Sequence, residues 1–335
     1  MKSLGGILGM LALVTVHSAN AQNLFVTDIG ELSFDPNYQG GGVYEFTPDG
    51  QRRTFTRGLS RPLGLAFDRD GNLFVSDLLR RVIYKFSPEG TRSTFVTNVL
   101  DPIGLAFDAA GNLFSIGGGN LRRFAPDGTM TLLASQLKGG GALAFNSAGE
   151  LFVLNYGDEN EWASIFKFTT NYVRTTFASG LVANNALAFD STGDLFYPHL
   201  IAGAVYKFAP DGIRSTFADG LTRPGALAFS PEGDLYVSED WRGTNIYKIT
   251  PQGIRTIFAR GFTNIAFMAF APKPSLKVAG SSGEIILEWP ASATNYLLQS
   301  TTNVSSANWQ TITNASPGIR LRTNSPATFF RLHRR

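Results

Sequence analysis

Three histidines, His17, His199 and His333, and no cysteine bound the chemistry open to this 335-residue chain. Without thiols there is no disulfide, no thiolate nucleophile and no cysteine zinc site. His17 lies in an apolar N-terminal stretch and His333 near the last residue, so His199 stands alone in the body of the sequence. That nearly excludes a histidine triad or a multi-histidine metal centre. His199, in Tyr197-Pro198-His199, reads as a lone acid/base on a rim or as a solvated loop side chain. The run Asp68-Arg69-Asp70-Gly71-Asn72 has calcium-loop composition, but its glycine comes too early, at the fourth place, and Leu79 stands where the closing glutamate belongs. It reads as a hairpin turn. Glycine clusters at 40–42, 117–119 and 139–141 lack the Lys-Ser/Thr of a phosphate loop and the spacing of a dinucleotide fingerprint. Arg80-Arg81 and Arg122-Arg123 are isolated pairs, far from a basic groove for nucleic acid.

What must position any site is a repeat. Leu65-Ala66-Phe67-Asp68 recurs at 105–108 and 187–190, and with Asn146 or Ser230 in the last place at 143–146 and 227–230, with a weaker copy at Met268-Ala269-Phe270. The marker phenylalanines step by 40, 38, 44, 40 and 41 residues, a period of blade-type repeats. Each unit continues with a glycine turn, a strand such as Asn72–Asp77, a strand such as Val82–Phe86, a Pro-Asp-Gly-type turn and a strand such as Arg92–Phe95. Proline presets the first turn dihedral, the acid caps locally and glycine accepts positive φ. The β-branched and aromatic composition between such turns predicts antiparallel sheet.

The two ends complement each other. Segments 23–28, 43–46 and 53–55 match the second, third and fourth strands of a unit, whereas the last copy supplies only a first strand at 268–270. Six of each strand exist only if the ends meet. An all-β, closed six-bladed β-propeller over residues 22–272 is therefore expected, since radial closure protects the sheet edges.

In that arrangement the loops between second and third strands share one face with the loops joining successive units. The longest are 29–42, 155–164, 197–204 and 239–245, carrying Glu31, Asp35, Asp158, Glu159, Glu161, Trp162, Trp241 and Arg242. At the ends of second strands stand Asp28, Asp77, Glu239 and Asp240. Such an acidic and aromatic rim suits a small carbohydrate or a peptide, tryptophan giving stacking area and carboxylates giving hydrogen bonds. An aspartate closing a strand equally well caps the next turn, so Asp28 and Asp77 stay open between the two roles. Glu239-Asp240-Trp241-Arg242 leans toward binding. Asn185 joins the candidates for the reason given next.

The run Gly64-Leu-Ala-Phe-Asp, Gly71-Asn-Leu-Phe-Val-Ser-Asp77, Ile83-Tyr-Lys-Phe resembles the NHL repeat and is similar to the SMP-30/gluconolactonase-like propellers, over about 250 residues. The resemblance implies a fold that hosts lactone hydrolases, lyases and plain binding modules. SMP-30-like enzymes hold a divalent cation, calcium among them, through Glu, Asn and Asp near the tops of inner strands. The matching positions are Leu63, Ile103, Gly141, Asn185, Gly225 and Ala266, of which only Asn185 suits a cation. The expectation is an exported, non-enzymatic binding or scaffold propeller without cofactor. The alternative is a divalent-metal lactone or ester hydrolase using Asn185, Asp240 and Asp28.

Two flanking regions complete the reading. Lys2, the apolar run Leu8–Val16 and Ala19-Asn20-Ala21 form the three parts of a cleavable export signal, 1–21, predicting a periplasmic, cell-surface or extracellular protein. After Ala271-Pro272-Lys273-Pro274 the repeat ends, and residues 273–335 read as further strands resembling the short fibronectin-III-like appendage of exported bacterial proteins, with Trp289-Pro290 and Phe329-Phe-Arg-Leu as cues. This segment holds seven Lys/Arg against Glu284 and Glu288, a net of +5 within a chain total of +3. It is either a solvated basic face or a contact for an acidic cell-envelope component. Neither nucleic acid nor a membrane span is expected, and the chain reads as a monomer.

Overall fold

The computed structural model describes residues 22–31, 35, 37, 39–157, 162–182, 184–239, 245–274, 276–281, 284–289, 296–302, 308–313, 315, 319–322 and 329–334. The expected signal, 1–21, lies outside them, as do Asp158, Glu159, Glu161, Asp240, Trp241 and Arg242. The described residues form strands and no helix. Chain contacts define one unit at Ala21–Pro272 and another that includes Lys273–Arg335.

The larger unit contains six four-stranded antiparallel sheets. Blade 2 is representative, running outward through Pro62–Phe67, Leu73–Asp77, Val82–Phe86 and Arg92–Val96. Blade 1 is composite. Its inner strand Ile265–Phe270 comes from the far end of the unit and pairs with Leu24–Asp28, in the register Leu24 to Phe270, Phe25 to Ala269 and Val26 to Met268. The six inner strands contact one another in a closed ring, the last meeting the second blade's first strand. The arrangement is a β-propeller closed by pairing of its ends.

The repeated phenylalanine has a physical reason. On each second strand an aromatic ring meets, edge to face, the inner-strand phenylalanine of the next blade. The contacts are Phe25–Phe67, Phe74–Phe107, Phe114–Phe145, Phe152–Phe189, Phe196–Phe229 and Tyr236–Phe270, at centroid distances between 4.7 and 5.0 Å. Such pairs stabilise beyond their buried area. Because Tyr236–Phe270 is the sixth of the set, the aromatic belt closes where the strands do. The Asp68 run is a hairpin turn: its carboxylate Oδ1 accepts the N–H of Asp70 and of Asn72 at 3.0 and 2.9 Å, and Gly71 takes φ 82°.

Residues after Pro272 form two three-stranded sheets, Lys277–Ser281, Glu284–Glu288 and Ile319–Arg322 in one, Gln310–Thr311, Tyr296–Thr301 and Phe329–Arg334 in the other. Leu276, Leu287, Leu298, Phe330 and Leu332 make their shared core.

Candidate functional site

The face bearing the 2–3 loops and the inter-blade connections is built by a recurring tie. Asp28, at the end of its second strand and 5% exposed, accepts three backbone N–H groups: Gly30 and Asn264 on Oδ1, each at 2.9 Å, and Thr263 on Oδ2 at 3.0 Å. Asp77, fully buried, does the same with Ser60 at 2.9 Å and with Arg61 and Arg80 at 3.3 Å. Asn155 holds Lys138 at 2.7 Å and Glu239 holds Thr222 at 2.6 Å from the corresponding position. These side chains knot four of the six second strands to the preceding inter-blade connection. For Asp28 and Asp77 the oxygens are spent on backbone donors, which is the capping role.

His199 occupies the same position in blade 5 and departs from the pattern. Its Nδ1 accepts the N–H of Ala202 at 3.0 Å, so the proton of the neutral ring sits on Nε2. The ring lies edge-on to Tyr206, centroids 5.2 Å apart. Burial lowers its pKa, and the Arg214 charge adds to that. Trp162 is 67% exposed. Asp35 Oδ1 takes the N–H of Asn37 at 2.8 Å.

Inside the ring of inner strands lies a cavity of about 80 Å³. Every blade lines it, through Leu65, Leu105, Leu143, Leu187, Leu227 and Met268 among others, and Asn185 is the single polar side chain among the described residues that line it. Asn185 is held on one side by the Tyr156 hydroxyl, which donates to Oδ1. Burial pushes the Tyr156 phenol well above its ordinary pKa, so it remains a donor. With Oδ1 accepting, the amide NH2 of Asn185 is the donor left for the cavity. The neighbouring Asn184 bridges blades, its Nδ2 donating to the carbonyls of Pro198 at 2.8 Å and Pro224 at 3.0 Å. The buried Tyr197 hydroxyl donates to the Val182 carbonyl. The polar sector of the mouth thus sits between blades 4 and 5. Sequence reading picked Asn185 from it but missed Tyr156 and Asn184, and the structure shows His199 against Ala202 and Tyr206 instead. The available signal was the pair Asn184-Asn185, which stands where blades 2 and 3 have Pro62-Leu63 and Pro102-Ile103.

Whether a divalent cation fits is answered by the six inner-strand positions. Leu63 and Ala266 are buried and pack with Ile29, and Ile103 lies against them. A side chain on Gly141 would overlap the Tyr156 hydroxyl and the Asn185 amide. Two of the carbonyls already accept hydrogen bonds: Leu63 O takes Thr27 Oγ1 at 2.7 Å, and Ile103 O takes Gly64 N at 2.8 Å and Ser76 Oγ at 3.0 Å. A hard cation asks for several oxygens, carboxylates included. The residues at this ring do not fit one, and no cluster of three His, Asp or Glu side chains occurs elsewhere among the described residues.

Residues 16–154 match the family model described as the SMP-30/gluconolactonase/LRE-like region. No curated protein sequence matches the chain. Among solved structures, a chain of the nidogen/laminin complex aligns at 17% identity over 75% of this chain and 98% of its own, TM-score 0.65. A gluconolactonase from Xanthomonas campestris aligns at 15% identity over 85% and 96%, TM-score 0.58. Regucalcin, a calcium-binding protein from Agrobacterium tumefaciens, aligns at 14% identity over 68% and 81%, TM-score 0.56. At such identities the likeness shows fold alone. The chain is a β-propeller, and the part matched by the family model is SMP-30/gluconolactonase-like.

Proposed function

We propose that this is an exported binding propeller that takes a small neutral ligand, a sugar or a peptide carbonyl, at the channel mouth between blades 4 and 5. The observation that supports it is the Tyr156–Asn185 pair: a hydroxyl orients the amide so that its NH2 is left for a cavity whose other described side chains are apolar. An amide donor in a pocket lined by no charged side chain among the described residues selects a neutral acceptor, because a charge there would remain unpaired. The cavity admits only the tip of such a ligand, and the rim loops would hold the rest. Ligand-observed magnetic resonance with a panel of neutral oligosaccharides and short peptides tests this. A hit from the panel should be lost in Asn185→Leu; retention of every hit by that variant removes the reading.

The second reading, a divalent-metal lactone hydrolase, is favoured by the family match over residues 16–154. The inner-strand ring argues against it, for want of oxygen ligands. Turnover of a sugar lactone that requires added calcium, zinc or manganese would put this reading first.

A further inference from the structure

The outer face of one C-terminal sheet carries a grouping that the channel mouth does not use. Strands Tyr296–Thr301 and Phe329–Arg334 pair Leu298 with Leu332 and Ser300 with Phe330, and the buried Leu298, Phe330 and Leu332 mark the core side. Alternation then sends Gln299 with Arg331, and Leu297 with His333, to the opposite side. There the Arg331 guanidinium carbon lies 4.2 Å over the ring of Trp309. Its Nε donates to Gln299 Oε1 at 2.8 Å, and Gln299 Nε2 in turn reaches Thr311 Oγ1 at 3.3 Å. Stacking and one hydrogen bond therefore fix the guanidinium plane. The two terminal nitrogens make no hydrogen bond or ion pair with described residues.

We propose that this face binds the carboxylates of an acidic polysaccharide. A fixed guanidinium with a free edge matches a carboxylate bidentately, which a lysine does not. Half-buried Leu297 and Phe329 beside it give sugar rings an apolar bed. The net +5 of residues 273–335 attracts a polyanion and suits a repeating acid better than one uronate.

The test uses the whole chain on biosensor surfaces carrying polygalacturonate, neutral dextran, dextran sulfate or single-stranded DNA, at about 0.15 M salt. Binding to polygalacturonate and not to dextran is expected, weakened about tenfold by Arg331→Gln and by the charge-preserving Arg331→Lys. Asn185→Leu should leave it unchanged. Equal binding of Arg331→Lys and the unaltered chain would show attraction by charge alone and overturn the proposal. So would equal capture by dextran sulfate or DNA. If thermal melting shows that Arg331→Gln does not fold, Arg331→Lys and Gln299→Leu decide the matter, the latter by releasing the guanidinium.

Discussion

Asp28 and Asn264 stand 236 residues apart and are joined by a 2.9 Å hydrogen bond from the Asn264 N–H to the Asp28 carboxylate. Beside it the Asp28 carboxylate also takes the N–H of Thr263, and the Ile29 N–H reaches the Asn264 carbonyl at 3.0 Å. This knot fastens the two ends of the propeller.

Removing it should loosen the ring. Asp28→Ala leaves three backbone donors without their acceptor in a buried place, and each loss is costly when water cannot replace the partner. The expected destabilisation is about 2–4 kcal/mol in urea unfolding. Asp77→Ala, which frees a knot between adjacent blades, should cost a similar amount. A loss below about 0.5 kcal/mol in both would mean that the carboxylates are held for a ligand instead.

Blade spacing makes a second prediction. A methyl group on Gly64 would overlap the Ile103 carbonyl oxygen of the next blade, to which Gly64 N also donates. Gly64→Ala should destabilise by about 3 kcal/mol, because backbone on both sides resists movement. Gly111→Ala, at φ 86° with open space around it, should cost only about 1 kcal/mol from the left-handed backbone. Thermal melting of the two variants side by side measures the difference.

The hydroxyl that orients Asn185 can be removed with little change of shape. Tyr156→Phe deletes one hydrogen bond and should lower stability by about 1 kcal/mol. Its larger effect falls on any mouth ligand, because the amide is free to flip. Titration calorimetry of a panel hit should show weaker binding in Tyr156→Phe at an unchanged stoichiometry.

Acid should act through His199. Its folded pKa is depressed, chiefly by burial and further by Arg214, while the unfolded chain keeps the ordinary value near 6.5. The unfolded state therefore binds the proton first, so the stability this ring contributes is complete above about pH 6.5 and is lost as pH falls through the lower folded value. Protonation also ends acceptance of the Ala202 N–H at Nδ1. In melting curves taken between pH 7 and 5, His199→Gln should flatten the fall in Tm seen in the unaltered chain.

Much of the architecture was legible because one short phrase, Leu-Ala-Phe five times and Met-Ala-Phe once, serves one packing contact six times around. Phe67, Phe107, Phe145, Phe189, Phe229 and Phe270 all receive the ring of the preceding blade, and the sequence shows them as a period. The site was legible in residue type but not in role. Asp28 and Asp77 looked equally fit for a ligand or for a cap, since two of the three donors on each are remote in sequence: those of Asp77 come from a connection 16 and 17 residues back and those of Asp28 from the far end of the unit. Tyr156 escaped notice because nothing around it in sequence announces Asn185, 29 residues on.

Taken alone, the order of amino acids determined the repeat, the need for the two ends to meet, and the shortage of oxygen ligands at the inner-strand tops. These follow from local preference and residue type, which act over a few positions and survive in a one-dimensional reading. Tertiary structure decided which carboxylates are occupied, which amide faces the cavity, and that Arg331 lies flat on Trp309 with an edge to spare. Those outcomes depend on distances between segments far apart in the chain, and only packing sets such distances.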